Sequence, residues 1–386
     1  MKNIGIVTST RAEYGLLMPF IREMRKHESK SLKISLIVTG THLSKKYGMT
    51  VSEIEASGMR IDDLVPIRLK SNSANEIARN QADIVVKFTD LFAQRKYDAI
   101  CILGDRYEIQ MIALAATNVG IPIFHLCGGD TTEGAVDESA RHSITKMSYW
   151  HFTTNEESRR RVIQLGEEPQ RVFNVGSTSI DNILNMDLFC KEEVLRSVGL
   201  QECRYAIGTY HPVTLENQDI EIDILNFVNA MKLFPDVQFI ITKANADKGG
   251  ELINSILERE AGEIPNIHVF SSLGTKRYLS IMKYAEFVIG NSSSGIVEAP
   301  ALHVPTVNIG DRQKGRLQSE STINCGTGLE EIASAIRKAM SPEMKRIADK
   351  VVSPYGDGRA AERMTKIVLE AMERRVDLKK HFYTVN

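Results

Sequence analysis

A chain of 386 residues is too long for one ordinary core and fits two domains. With 42% hydrophobic and 25% charged residues it reads as a water-soluble globular protein, and a formal net charge of -1 gives no basic excess for nucleic acid or a membrane surface. The five cysteines, Cys101, Cys127, Cys190, Cys203 and Cys325, are scattered without a CxxC pair, so they read as reduced cytoplasmic thiols rather than disulfides or a zinc site. The opening MKNIGIVTSTRAEYG has too short an apolar run for a signal peptide, and no apolar stretch reaches the roughly 20 residues a membrane span needs.

In chain order, short Ile- and Val-rich runs predict strands at Ile4–Thr8, Lys33–Val38, Asp98–Leu103, Ile121–Leu126, His151–Thr154 and Val172–Val175. A second series follows at Tyr205–Tyr210, Val237–Thr242, Asn266–Ser271, Phe287–Ile289 and Thr306–Ile309. Amphipathic stretches such as Leu16–Lys26 and Glu108–Val119 lie between them. Strand and helix in alternation predict an α/β protein with two parallel sheets. The first domain is expected over 1–175 and the second over 176–359. The turn at Ser353–Gly358 precedes a helix from Ala360 to about Arg375, and the segment 360–386 is expected to return to the first domain. Polar residues and glycines gather after the strands, the edge where open α/β sheets bind ligands. Two such edges facing each other would form a cleft.

Asn291, Ser292, Ser293, Ser294 and Gly295 follow a strand and precede a helix expected near Ile296. Backbone N–H groups and hydroxyls there suit a phosphate, although a plain helix cap uses the same residue types. The first strand–helix turn, TSTRAEYG, lacks GxGxxG, so no nicotinamide is called for, and the chain has no GxxxxGK[ST]. Arg11 could fork a phosphate there, but for a lone arginine a surface ion pair is the stronger reading. Acids crowd one region: Asp105, Asp130, Glu133, Asp137 and Glu138, followed by Arg141 and His142. Close carboxylates can divide acid and base roles. The same residues also suit a cap and an i,i+4 pair, and the residues alone do not choose. His211 ends a strand stopped by Pro212 and could donate to a phosphate or simply fill a turn. No His, Asp or Glu set has metal-ligand spacing.

The motifs TSTRAEYG, TGTHL, LGDRYE, GGDTTEGAVDE with RHSITKMS, YHPVT, NAD, IGNSSSGIVE and NIGDRQKGR, in this order, resemble the hydrolysing UDP-N-acetylglucosamine 2-epimerases of sialic acid biosynthesis. The resemblance covers nearly the whole chain. It implies a GT-B fold, two Rossmann-like domains across a cleft, with a UDP-sugar substrate, UDP as product, no cofactor, and a cytoplasmic homodimer. Asp105, Asp130, Asp137 and Glu138 match the catalytic acids, and His211 a histidine beside the diphosphate. Ser292, Ser293 and Arg312 match phosphate ligands, Glu298 a ribose ligand and Arg11 a nucleotide-side arginine. Further candidates for substrate binding are His42, Arg106, Asn245, Asp247, Ser271, Ser294 and Gly295. Animal members carry Glu where this chain has Cys127; Asp130 then offers an acid after the paired glycines. The implied reaction yields N-acetylmannosamine and UDP. Rival readings are the same reaction on a UDP- or GDP-2,4-diacetamido-2,4,6-trideoxyhexose, a non-hydrolysing epimerase, a GT-B glycosyltransferase and a sugar-nucleotide sensor.

Overall fold

The computed structural model describes all residues except 46–47, 71–72, 132–135, 213–219, 245–249, 375 and 386, and the side chains of 136 and 251. Its described strands are β1 Lys2–Thr8, β2 Leu32–Thr39, β3 Asp63–Val65, β4 Ala99–Leu103, β5 Ile123–Leu126, β6 Trp150–Thr153 and β7 Val172–Asn174. The series continues with β8 Tyr205–Thr209, β9 Gln238–Thr242, β10 Ile267–Phe270, β11 Phe287–Gly290, β12 Thr306–Ile309 and β13 Thr322–Cys325. The helices between them are α1 Arg11–Arg25, α2 Val51–Ala56, α3 Ala74–Arg95, α4 Tyr107–Val119, α5 Val136–Met147, α6 Glu156–Gln164 and α7 Thr178–Leu184. After these come α8 Lys191–Arg196, α9 Ile220–Lys232, α10 Gly250–Ala261, α11 Thr275–Lys283, α12 Ser293–Val297, α13 Leu329–Ala339, α14 Pro342–Lys350 and α15 Ala360–Glu373.

Two compact units result: Met1–Asn182 with Gly358–Asn386, and Ile183–Asp357. The first holds a 7-stranded sheet in the order β3-β2-β1-β4-β5-β6-β7, the second a 6-stranded sheet in the order β10-β9-β8-β11-β12-β13. Among the described residues every ladder is parallel. The expected α/β class with two parallel sheets is therefore found, one sheet in each unit. Strand order reverses at β1/β4 and at β8/β11, and such switch points open a crevice at the strand ends.

Burial on both faces explains the near-continuous apolar strands. On β1, Ile4 and Ile6 pack with Leu17 and Phe20 of α1 and Met364 and Val368 of α15, while Val7 joins Phe88 and Phe92 of α3 on the other side. On β8 and β9, Ala206 and Ile241 meet Phe227 and Met231 of α9, whereas Tyr205, Ile207 and Ile240 meet Val194 and Leu195 of α8 and Ile281 of α11. The last helix belongs to the first unit because buried Asp181 accepts from the N–H groups of Ala360 (2.9 Å) and Ala361 (2.7 Å), two of the orphan donors at its start.

Three local expectations are corrected. The first helix begins at Arg11, not Leu16, because Thr10 caps it by accepting from Glu13 N–H. The helix after NSSSG begins at Ser293, not near Ile296, because Ser292 is its cap. Strands β3 and β13 went unexpected; both are short sheet edges, and each carries polar or exposed positions that break an apolar run. Among the described residues no helix is long and apolar enough to cross a membrane.

Candidate active site

At the β1/β4 switch point the TSTRAEYG turn folds around a buried acid. Glu13 accepts from Ser9 N–H at 2.8 Å and from the Ser9 hydroxyl at 2.8–2.9 Å. Burial raises its pKa to about 7; the Ser9 hydrogen bonds and the Arg106 charge pull the other way. Arg106, on the neighbouring loop, is half-exposed and forks onto buried Glu108 at 3.0 and 3.1 Å. Neither Glu13 nor Glu108 was a candidate. Thr10-x-x-Glu13 is the capping-box spacing that signals Glu13's place at the helix start. Arg11 forms an exposed ion pair with Glu53 at 3.0 Å, the surface reading weighed for it. His42 is buried, with Nε2 3.1 Å from the Thr8 hydroxyl and Nδ1 2.8 Å from that of Thr50. Burial lowers its pKa to about 4, so the ring is neutral and braces the β1 and β2 ends.

A stability prediction follows from Glu13. Its folded pKa, about 7, lies above the ordinary value of 4.5, so the folded state holds this proton more tightly than the unfolded chain. The resulting stability is fully present below pH 4.5 and is lost as pH rises to 7. Wild type should therefore lose on the order of 3 kcal/mol over that window relative to Glu13→Gln. Urea unfolding of both proteins at pH 5 and pH 8 measures it; parallel stabilities at the two pH values would reject it.

The acid cluster is organised by one arginine. Arg141, on α5 and only 4% exposed, donates to Asp105, to Glu138 Oε2 at 2.8 Å and to the Asp130 carbonyl at 2.8 Å. Asp105 from the β4 end, Asp130 from the β5 end and Glu138 from α5 are thus brought together. Glu138 Oε1 also lies 3.0 Å from His142 Nε2. Asp130 Oδ1 accepts from Ser158 at 2.5 Å and Thr154 at 3.2 Å. Lost solvation, and then the Asp105 charge, raise the pKa of the Asp137 carboxyl above its ordinary value. Cys127 has left-handed backbone at φ 64°, and burial pushes its thiol well up, so it stays neutral. Gly129, at φ 83°, must be glycine: a Cβ would lie 2.3 Å from the Ser158 carbonyl. Buried His125 donates from Nε2 to the Gly104 carbonyl at 2.8 Å and so supports the turn before Asp105. Arg141 was read only as part of the helix after the acids; what marks it is its i,i+3 spacing from Glu138.

In the second unit Asn291 joins the two loops at the β8/β11 switch point. Its Oδ1 accepts from His211 N–H at 2.6 Å, its Nδ2 donates to the His211 carbonyl at 2.8 Å, and its own carbonyl accepts from Arg312 at 3.1 Å and Gln313 at 2.8 Å. His211, Arg312 and the serine turn are therefore held around one buried amide. Ser292 takes the cap role, accepting from Ser294 N–H at 3.4 Å. The Ser294 hydroxyl donates to Glu298, whose carboxyl is raised by burial and lowered by that bond. Ser293 stands at the first position of α12. Gly295 is buried against β12, where a Cβ would meet Thr306 at 2.7 Å. Ser271 is exposed after β10. Asn245, Asp247 and Glu133 lie outside the described residues.

The profile of the family described as UDP-N-acetylglucosamine 2-epimerase matches residues 23–369. The chain belongs to the UDP-N-acetylglucosamine 2-epimerase family. Among the family's curated relatives, a GDP/UDP-N,N'-diacetylbacillosamine 2-epimerase (hydrolyzing) of Campylobacter jejuni is 39% identical over 349 residues, covering 89% of each chain. The polysialic acid biosynthesis protein P7 of Escherichia coli is 36% identical over 386 residues, covering 100% of this chain and 98% of that one. The solved Neisseria meningitidis UDP-GlcNAc 2-epimerase bound to UDP-GlcNAc shares the fold, with TM-score 0.77 and 19% identity over 96% of this chain and 100% of that one. This epimerase has the GT-B-like pair of parallel α/β domains and is a hydrolysing 2-epimerase of nucleotide sugars.

Proposed function

We propose that this epimerase acts on a nucleoside diphosphate 2,4-diacetamido-2,4,6-trideoxyhexose, releasing the C2-epimeric sugar and the nucleoside diphosphate. The observation that carries this reading is the 39% identity to a relative named for N,N'-diacetylbacillosamine on GDP or UDP. It reverses the order of the two substrates reached from sequence alone. UDP-N-acetylglucosamine, giving N-acetylmannosamine for sialic acid, is the second reading; the full-length match to a polysialic acid biosynthesis protein favours it.

The chemistry is the same for either sugar. The C2 proton is not acidic, so a carboxylate removes it as the C1–O bond to the diphosphate breaks, leaving a glycal. A second carboxyl then protonates C2 from the opposite face, and water adds at C1. Asp105, Asp130, Asp137 and Glu138 are the proposed acids and bases. His211, Ser292, Ser293 and Arg312 are proposed to stabilise the departing diphosphate, where fixed donors act on developing charge. The carboxylates of Asp105 and Glu138 gathered on Arg141, with Asp137 on the same helix turn as Glu138, support a division of acid and base roles.

The test is incubation with the GDP- and UDP-linked diacetamido sugars and with UDP-N-acetylglucosamine in deuterium oxide, followed by NMR of the free sugars. The expected result is free 2-epimer with deuterium at C2, formed at least about tenfold faster from a diacetamido substrate, since a site built around a polar group rejects an analogue lacking it. Faster turnover of UDP-N-acetylglucosamine would establish the second reading instead. Full protium at C2 in a single turnover would rule out the elimination path.

A further inference from the structure

The chain beyond α15 is docked by a buried ion cluster that ends on the helix carrying the acids. Glu167 and His151 are both fully buried, with His151 Nε2 3.0 Å from Glu167 Oε2. Two ammonium groups close on the same carboxylate: Lys146 at 2.6 Å on Oε1 and Lys380 at 2.6 Å on Oε2. Burial opposes the Glu167 charge, but the hydrogen bonds from His151, Lys146 and Lys380 outweigh it and hold the carboxyl at about 2. Burial also disfavours the charge on Lys380, which nonetheless keeps this partner.

Lys380 uses its ammonium fully. An ammonium has three donors, and here they meet Glu167, the Lys146 carbonyl at 3.0 Å and the Ser148 carbonyl at 2.6 Å. Those two carbonyls lie at the C-terminal end of α5, which stops at Met147. A helix end leaves carbonyls without intrahelical partners and carries partial negative charge, so a cation placed there both caps and anchors it. The tail is held beside this point by Tyr383 N–H donating to the Gly166 carbonyl at 3.0 Å. Gly166 leaves room for the tail: a Cβ there would lie 2.5 Å from the Phe382 ring.

The first turn of α5 carries Asp137 and Glu138, and its middle carries Arg141 and His142. A helix transmits an axial or rotational shift along its length, and misplacing a catalytic group by about 1 Å can cost about 10²-fold in rate. We propose that Lys380 is a positioning residue for the epimerase reaction: the C-terminal segment acts as a strap whose ammonium locks the end of α5 and so sets the acid cluster at its start. Lys380 meets Glu167 and the two carbonyls at the α5 end, and on this proposal it acts through the helix.

The experiment compares wild type with Lys380→Met in the full chain, using amide hydrogen exchange of the resting protein and steady-state kinetics on the substrate turned over by wild type. In Lys380→Met, exchange across α5 should accelerate about tenfold or more while α13 in the second unit is unchanged. Turnover should fall about tenfold or more with KM and UDP affinity kept. Lys380→Gln, which retains amide donors but no charge, should lie between the two. Unchanged α5 exchange would overturn the proposal, as would faster α5 exchange with wild-type kcat, or exchange accelerated alike in α5 and α13. If Lys380→Met does not accumulate as folded protein, the same readings from Lys380→Gln decide. Because exchange is measured without substrate, a wrong assignment of the sugar leaves this test intact.

Discussion

Asp105→Asn is expected to yield a folded protein that binds UDP and turns over its nucleotide sugar about 10²–10⁴ times more slowly, the scale of a lost acid–base group. The residue stands directly after β4, at the strand-order switch, on a turn whose Gly104 is left-handed at φ 93°. Its carboxylate reaches Arg141 on α5 and raises the proton affinity of Asp137. Asparagine keeps the size and one acceptor oxygen for Arg141 while removing the charge. Fold and charge are thereby separated: a residue that only anchored Arg141 would lose about 1 kcal/mol of stability and little rate. Calorimetric UDP affinity, a urea melt and kcat from nucleotide release measure the three quantities. Wild-type turnover in the variant would make Asp105 an anchor alone and leave Asp130, Asp137 and Glu138 to share the chemistry.

Arg141→Met should be the most damaging single change to the first unit's site. The guanidinium is 4% exposed and joins Asp105, Glu138 and the Asp130 carbonyl, which arise from three different elements. Removing one partner of a buried ion pair typically costs about 3–5 kcal/mol, because the charge left behind has lost both water and its counter-ion. The two carboxylates here keep side-chain exposures of 31% and 24%, so water recovers part of that loss and about 3 kcal/mol is expected. The rate should fall further than stability alone explains, by about 10²-fold or more in protein that is still folded, since the acids lose their common reference point. Denaturant midpoints and kcat of the folded fraction test both parts. Stability within 1 kcal/mol of wild type would show that this arginine does not organise the cluster.

The sequence by itself determined the class of fold. Apolar runs bounded by polar turns mark every central strand of both sheets, because a parallel strand buried on both faces needs a continuous apolar segment. Two edge strands lack that signal, unlike the edges β7 and β10: Asp63–Val65 contains an exposed Leu64, and Thr322–Cys325 alternates polar with apolar, so pairing in the folded sheet was needed to find them. The motifs at the strand ends also made the family and the broad chemistry legible, since strand ends are where an α/β sheet presents side chains to a ligand. What only tertiary structure decided is which of those side chains act together. Arg141 and Asp105 lie 36 positions apart in sequence, Asn291 and His211 lie 80 apart, and Lys380 and the end of α5 lie over 230 apart. No local pattern encodes such pairs. Burial and neighbours likewise fixed local environments that residue type leaves open: His42 is a neutral brace, Arg11 pairs with Glu53 at the surface and Ser292 caps α12, because solvation and neighbours set what a polar group does within the fold.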